Sequence, residues 1–173
     1  MTASDSTERF SSRVADYVRY RPDYPPALLE WLHGPMGVSQ QARVADIGAG
    51  TGISSRLFLA SGHPVVAVEP NAAMRGAAEE WLAPQYPQFR AVDGRAEATA
   101  LDDASIDLVS VAQAFHWFDT VAVRAEWQRI LRPGGQAPDG GAAWTVQGRG
   151  RLAEDVLVAL ARHRIDVRGQ AVT

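Results

Sequence analysis

Short apolar runs alternate with helical patterns through the middle of the chain. The runs are continuous, as in strands buried on both faces, and they lie at 43–47, 65–68, 88–92 and 106–111. Between these runs we predict helices over 54–60, from an N-cap at Asn71 through Leu82, and from a cap at Asp119 or Thr120 to Leu131. This alternation predicts an α/β fold with a mostly parallel sheet and helices on both faces. Ligands of such sheets bind beyond the carboxyl ends of the strands.

The two ends of the chain follow different patterns. Near the amino end, apolar spacing predicts a short helix over 9–19, and Pro25 or Pro26 starts a second helix that Gly34 ends. Beyond residue 135, proline and several glycines are poor strand material, and 151–164 has the apolar spacing of a helix. We therefore expect no strand directly after residue 135. One sheet edge would then be unprotected.

Composition narrows the classes of function. The chain has 173 residues, of which 46% are hydrophobic, so we expect a single domain with a substantial core. A net charge of −3 gives no electrostatic support for binding nucleic acid or an anionic membrane surface. The absence of cysteine excludes disulfides, thiolate metal sites and cysteine nucleophiles, and we predict no metal site. The polar amino-terminal residues do not resemble a secretory signal, so we expect a cytoplasmic protein.

Candidate chemistry is concentrated after the first two predicted strands. The loop 48–52, Gly-Ala-Gly-Thr-Gly, lets a ligand approach the backbone closely. The helix that follows it offers N–H groups to an anion such as a carboxylate or phosphate. Glu69 ends the second strand, where a carboxylate can accept hydrogen bonds from ribose hydroxyls. The alternatives are an ordinary strand–helix turn and an exposed acid before a proline turn.

The loop differs in spacing from that of dinucleotide-binding proteins. Their fingerprint is Gly-x-Gly-x-x-Gly, whereas Ile53 stands here at the third glycine position and Asp46 lies two residues before Gly48. This Asp-x-Gly-x-Gly-x-Gly arrangement resembles the first motif of class I S-adenosylmethionine-dependent methyltransferases. The resemblance implies a Rossmann-like fold, with its carboxyl-terminal strands incomplete here, and S-adenosyl-L-methionine as the cofactor. It also implies that Asp46 and the loop hold the methionine part, and that Glu69 holds the ribose.

The resemblance continues downstream and covers about residues 43 to 135. It stops where the family has an apolar fifth strand, so we expect that the chain is truncated or frameshifted after about residue 135. The segment 93–97, Asp-Gly-Arg-Ala-Glu, is similar to the family segment that lies against the adenine. Members of the family often have an acidic residue at the position that Arg95 occupies here. The segment 101–109 is similar to the family's run into strand four, and 129–135 is similar to its helix end before strand five. The subgroup implied is the small-molecule methyltransferases of the type 11 domain family. The cofactor-binding residues implied are Asp46, Gly48, Ala49, Gly50, Gly52, Glu69, Pro70, Ala96, Glu97 and Gln113.

A second group of residues is expected on the side of the methyl acceptor. The segment 113–119, Gln-Ala-Phe-His-Trp-Phe-Asp, follows the fourth strand and resembles a subgroup with His-Trp-Phe at this place. Aromatic faces suit a sulfonium cation, and His116 is the candidate catalytic base. Core or lid aromatics beside a structural histidine are the alternative. An amino-terminal segment resembles a lid over the cofactor, and a proline-ordered connection between helices is its alternative. The candidate substrate or lid residues are therefore Tyr17, Tyr20, Arg21 and Tyr24 from this segment, with Phe115 and Trp117 from the segment after strand four.

These observations predict three segments. They are an amino-terminal helical lid at 1–35, an S-adenosylmethionine-binding core at 36–135 and an atypical carboxyl-terminal segment at 136–173. The predicted function is methyl transfer to a small-molecule acceptor, without a nucleic acid or membrane partner. Two alternatives stay open. One is a catalytically inactive remnant with weak or no cofactor binding, and the other is an NAD(P)-binding oxidoreductase, which Ile53 and Asp46 disfavour.

Overall fold

A computed structural model describes residues 27–34, 37–112, 114, 117–132, 142–146 and 156–160. Its elements, in chain order, are α1 (Ala27–His33), β1 (Val44–Ile47), α2 (Ile53–Ala60), β2 (Val65–Val68), α3 (Ala72–Leu82), β3 (Phe89–Val92), β4 (Leu108–Ala112), α4 (Thr120–Ile130), β5 (Ala142–Val146) and β6 (Val156–Leu160). The helix expected over 9–19 lies outside the described residues. Of the helices within them, none has the length and apolar character that a bilayer crossing needs.

The described strands form one six-stranded sheet in the order β3-β2-β1-β4-β6-β5. The first four of these strands are parallel, and Val44 of β1 lies opposite both Val65 of β2 and Leu108 of β4. This confirms the predicted parallel sheet. Successive strands run outward from β1 to β3, and the chain then returns to the other side of β1 as β4. Such a reversal opens a crevice at the carboxyl ends of β1 and β4.

The carboxyl-terminal strands differ from the prediction. β6 pairs antiparallel with β4, and β5 pairs antiparallel with β6, so the edge of β4 is covered. The helix expected over 151–164 is therefore wrong, and so is the expectation that no further strand follows residue 135. The run 156–160, Val-Leu-Val-Ala-Leu, is apolar throughout. A run this short fits a helix or a strand by spacing alone, and its valines favour a strand beside the free edge of β4.

Alternate residues of the parallel strands pack into two cores, one on each face of the sheet. One core joins the strands to α2 and α3 and includes Val44, Phe58 and Leu82. The other joins the same strands to α4 and includes Ala45 and Trp127. The helices thus cover both faces and leave the ends of the strands for polar groups.

At the amino ends of the strands, polar groups are paired with one another. The Nε2 atoms of His33 and His63 lie 2.9 Å apart, and Nδ1 of His63 lies 3.0 Å from the carbonyl oxygen of Ala42. His63 is fully buried, and burial lowers its pKa below the ordinary value. The backbone N–H of Arg43 donates to the carboxylate of Asp107 at 2.8 Å.

The start of α3 confirms the predicted cap. The side-chain oxygen of Asn71 accepts hydrogen bonds from the N–H groups of Ala73 and Met74 at 3.0 and 3.1 Å. This cap satisfies N–H groups that the first turn of a helix leaves free. It also fixes the start of α3 directly after Glu69, at the carboxyl end of β2.

Candidate functional site

Two glycines of the loop between β1 and α2 are glycine for different reasons. Both have a positive φ, 57° at Gly50 and 90° at Gly52, which L side chains rarely adopt. A Cβ on Gly52 would lie 2.6 Å from Cδ1 of Leu82, so this glycine lets the loop pack against α3. The nearest atom to a Cβ on Gly50 is Sδ of Met74, 3.9 Å away. The backbone at Gly50 is therefore the part of the loop that a ligand can approach.

Asp46 of β1 is buried beneath this loop. Its Oδ2 accepts hydrogen bonds from the hydroxyls of Ser54 and Ser55, each at 2.6 Å. Its Oδ1 has no hydrogen-bond partner among the residues that the structure describes. Burial raises the pKa of Asp46 to about 6, and this effect exceeds the lowering by the serine hydrogen bonds. The carboxylate thus binds the start of α2, and its expected contact with the methionine part of a cofactor stays a prediction.

Glu69 follows β2 and connects the loop to α3. Its Oε2 accepts a hydrogen bond from the N–H of Gly50, and its Oε1 accepts one from the N–H of Asn71, both at 2.9 Å. Burial raises the pKa of this carboxyl, while the two backbone hydrogen bonds lower it. Pro70, the next residue, is exposed. Two N–H groups therefore hold a buried carboxylate beside the open glycine of the loop.

Arg75 of α3 fixes the backbone at the same place. Its Nη1 donates to the carbonyl oxygen of Glu69 at 2.7 Å and lies 3.5 Å from Oδ1 of Asp93, which follows β3. The ends of β2 and β3 are therefore attached to one helix. This attachment limits how far Glu69 can move relative to the loop.

The turn after β3 is closed by its own backbone. Arg95 and Ala98 exchange N–H···O bonds of 3.0 and 3.1 Å. Ala96 is buried in the core beneath α4, and Oε1 of Glu97 accepts a hydrogen bond from the N–H of Asp119 at 3.2 Å. Glu97 thus joins this turn to the start of α4. The expected contacts of Ala96 and Glu97 with an adenine ring stay predictions.

Side chains after β4 approach the loop from the other side. A Cβ on Gly48 would lie 2.7 Å from Cβ of Ala114 and 3.4 Å from Cζ of Phe118. Trp117 has 71% of its surface exposed. The apolar side chains of Ala114 and Phe118 therefore lie against the first glycine of the loop, and the exposed indole of Trp117 precedes Phe118 in sequence.

Several of the expected site residues lie outside the part of the chain that the structure describes. These are the expected cofactor-binding residue Gln113, the candidate base with one of its aromatic neighbours, and the expected amino-terminal lid. They are Gln113, Phe115, His116, Tyr17, Tyr20, Arg21 and Tyr24.

Three side chains that build the site were not expected from the sequence, namely Ser54, Ser55 and Arg75. The two serines directly after the loop were a visible signal, because hydroxyls near a helix start often bond nearby polar groups. Arg75 gave no such signal. Its contact depends on the way α3 packs back across the ends of β2 and β3.

Comparison with known proteins identifies the family. The sequence model of a family described as a methyltransferase domain matches residues 45–137, which include Asp46, the glycine loop and Glu69. The chain belongs to this methyltransferase family.

Relatives of this methyltransferase domain are longer proteins. The chain is 42% identical to an uncharacterized methyltransferase of Mycobacterium tuberculosis over 138 aligned residues. The aligned region covers 79% of this chain and 54% of that protein. The chain is also 34% identical to an uncharacterized methyltransferase of Schizosaccharomyces pombe over 128 aligned residues. That aligned region covers 73% of this chain and 49% of the other protein. The chain thus spans about half the length of the curated relatives it matches.

Solved structures agree with the fold of the methyltransferase domain. A type II methyltransferase candidate from Anaeromyxobacter dehalogenans is 32% identical, with a TM-score of 0.57 over 75% of this chain and 50% of that one. An S-adenosylmethionine-dependent methyltransferase candidate from Methanococcus maripaludis is 21% identical, with a TM-score of 0.59 over 84% of this chain and 62% of that one. At that identity, the second likeness shows the fold alone.

Proposed function

We propose that this methyltransferase domain binds S-adenosyl-L-methionine at the carboxyl ends of β1 and β2 and transfers the methyl group to a small-molecule acceptor. One observation carries the proposal. The buried carboxylate of Glu69 is held by the N–H groups of Gly50 and Asn71, next to a glycine whose backbone a ligand can approach.

The geometry of Glu69 suits a ribose. An ionised carboxylate has about four lone-pair sites. Glu69 uses two of them to accept the N–H groups of Gly50 and Asn71, so about two remain for the two ribose hydroxyls. Since backbone groups already hold the carboxylate, binding would cost little side-chain entropy.

The charges around the loop suit a cationic ligand. Asp46 and Glu69 are both buried, and each carboxylate makes the electrostatic potential around the loop more negative. S-adenosyl-L-methionine carries a sulfonium and an ammonium group, so its methionine part is attracted to this region. Gly50 lets that part of the cofactor approach the backbone without meeting a side chain.

The residues after β4 suit the acceptor side. The ring of Phe118 lies against Gly48, and Trp117 adds an exposed aromatic face that attracts positive charge. Bound S-adenosyl-L-methionine supplies a methyl group that positive sulfur already activates. The protein therefore contributes mainly proximity and orientation. His116 is the proposed base for acceptors that lose a proton.

Calorimetric titration with S-adenosylhomocysteine tests cofactor binding. We expect roughly micromolar affinity for the unmodified protein. Glu69→Gln places an amide where the ribose and Gly50 need an acceptor, and should weaken binding by roughly tenfold to a hundredfold. Glu79→Gln removes the same charge from an exposed position of α3 and should bind like the unmodified protein. A folded protein that does not bind would overturn the proposal and favour the inactive remnant.

Transfer is tested separately with S-adenosyl-L-methionine labelled in its methyl group and fractions of soluble metabolites. Label should move to a small molecule with the unmodified protein and with Glu79→Gln. It should move much more slowly with Glu69→Gln at limiting cofactor. Binding without transfer to any fraction would separate cofactor recognition from catalysis and contradict the proposed activity of this chain.

A further inference from the structure

The start of α2 is occupied by a side chain from the neighbouring strand. The residue at its N-cap position, Gly52, makes no side-chain cap. Asp46 lies at that end of the helix, because its Oδ2 accepts hydrogen bonds from the hydroxyls of Ser54 and Ser55, each at 2.6 Å. A carboxylate buried from solvent thus lies at the positive end of the helix dipole.

An anion already at this position changes which ligands fit. In sheets that bind dinucleotides, the pyrophosphate lies at the start of the helix after the first strand, where free N–H groups and the dipole attract it. Here that end of the helix faces Asp46. A phosphate brought to it would meet a like charge in a region with little water, and Glu69 would add a second negative charge nearby.

We propose that Asp46 is a specificity-determining residue whose carboxylate fills the anion position at the start of α2 and so excludes dinucleotides. The site then accepts adenosine ligands without phosphate groups. This inference rests on the proposed function, since it takes the adenosine ribose to be held by Glu69. It gives Asp46 a role beneath the loop, which differs from the direct contact with the methionine part that the family resemblance implies.

Two ligands that share adenosine test this role. S-adenosylhomocysteine has no phosphate, and ADP-ribose has a pyrophosphate. At pH 8, the unmodified protein should prefer S-adenosylhomocysteine by roughly a hundredfold or more, and Asp46→Asn should bind ADP-ribose at least about tenfold more tightly than the unmodified protein. Asp102→Asn makes the same change at an exposed position and should behave like the unmodified protein.

The pH dependence provides a readout that a merely structural role would not change. Between pH 8 and pH 5, ADP-ribose keeps its charge, whereas Asp46, with a pKa of about 6, gains a proton. The groups around Asp46 are Ser54 and Ser55 of α2, Ser110 beside it on β4 and Glu69 beyond β2. Glu69 is the group among these that titrates, and both proteins retain it. Affinity for ADP-ribose should therefore rise on acidification more in the unmodified protein than in Asp46→Asn.

The outcomes separate this inference from the proposed function. The inference is overturned if the unmodified protein and Asp46→Asn bind ADP-ribose with equal affinity at both pH values, or if neither binds it. This holds whether or not S-adenosylhomocysteine binds. A gain of ADP-ribose binding by Asp46→Asn supports the inference even if S-adenosylhomocysteine fails to bind, in which case the proposed function alone is wrong. If circular dichroism shows that the variant is unfolded, the pH series on the unmodified protein still decides, because a flat profile contradicts the inference.

Discussion

Polar groups at the two ends of the parallel sheet differ in how they are paired. At the amino ends, the buried ring of His63 contacts both His33 and the carbonyl of Ala42. At the carboxyl ends, Oδ1 of Asp46 and Oγ of Ser110 are buried without a hydrogen-bond partner among the described residues.

This difference separates an end built for stability from an end built for a ligand. Buried polar groups without a partner destabilise a fold, and they are retained where function requires them. The contrast therefore points to the carboxyl ends of β1, β2 and β4 without using the family resemblance. Four substitutions test how far the contrast holds.

The largest effect is expected at Gly52. Gly52→Ala combines left-handed backbone strain with a contact of 2.6 Å to Leu82, and should lower the free energy of unfolding by about 2–4 kcal/mol. Gly62→Ala is the matched control at the amino end of β2, because its φ is 94° but a Cβ there meets nothing within 4 Å. It should lose only about 1–2 kcal/mol in urea unfolding. Equal losses would mean that the packing of the loop on α3 contributes nothing.

Asp46→Asn should stabilise the protein near neutral pH. The folded-state pKa of Asp46, about 6, lies above its ordinary value of 3.8. Its stabilising contribution is therefore fully present below pH 3.8 and is lost as the pH rises through 6. Above pH 7, the variant should be more stable by up to about 3 kcal/mol, since a tenfold change in proton affinity on folding corresponds to about 1.4 kcal/mol. Thermal unfolding from pH 4 to pH 8 should show a gap that widens with pH, and a constant gap would contradict this account.

His63 should show the opposite pH dependence. Burial lowers the pKa of its imidazole, so its contribution to stability is present above its ordinary value of 6.5 and is lost as the pH falls through the folded-state value. His63→Gln should lower the free energy of unfolding by about 1 kcal/mol at pH 8 and flatten its dependence between pH 7 and pH 5. Urea titrations at several pH values measure both effects. A variant that keeps the original pH profile would assign that profile to other groups.

The smallest effect is expected at Ser110. Its buried hydroxyl has no partner among the described residues, so Ser110→Ala should leave stability unchanged or raise it by about 1 kcal/mol or less. Ser55→Ala, which removes a hydrogen bond to Asp46, should lower stability by about 1 kcal/mol. Losses of equal size in urea unfolding would show that the two hydroxyls are paired alike and would remove part of the contrast between the ends.

The parallel half of the fold could be predicted because its signals are local. The run 65–68 is apolar and short, and Asn71 marks the next helix, so bounds and cap agree with the structure within two residues. Glu69 and the glycine loop could be brought together because the carboxyl ends of neighbouring parallel strands meet. The division of the chain into segments at 35 and 135 stays a prediction.

The remaining features depend on contacts between distant residues. β6 was taken for a helix because five apolar residues fit both structures, and pairing with β4 decides between them. The bond from Asp46 to Ser54 needs the packing of α2 on β1, which no spacing rule contains. The same holds for Gly52, whose contact with Leu82 is made across 30 residues of chain.

That contact between Gly52 and α3 has a consequence for the heat of cofactor binding. Because packing fixes the loop before a ligand arrives, binding orders little additional backbone. The heat-capacity change should then follow the apolar surface that the cofactor itself buries, without the larger change that accompanies coupled folding. The entropy of ordering this loop is thus part of the folding transition of the domain, and temperature should shift cofactor affinity only modestly until the domain itself begins to unfold.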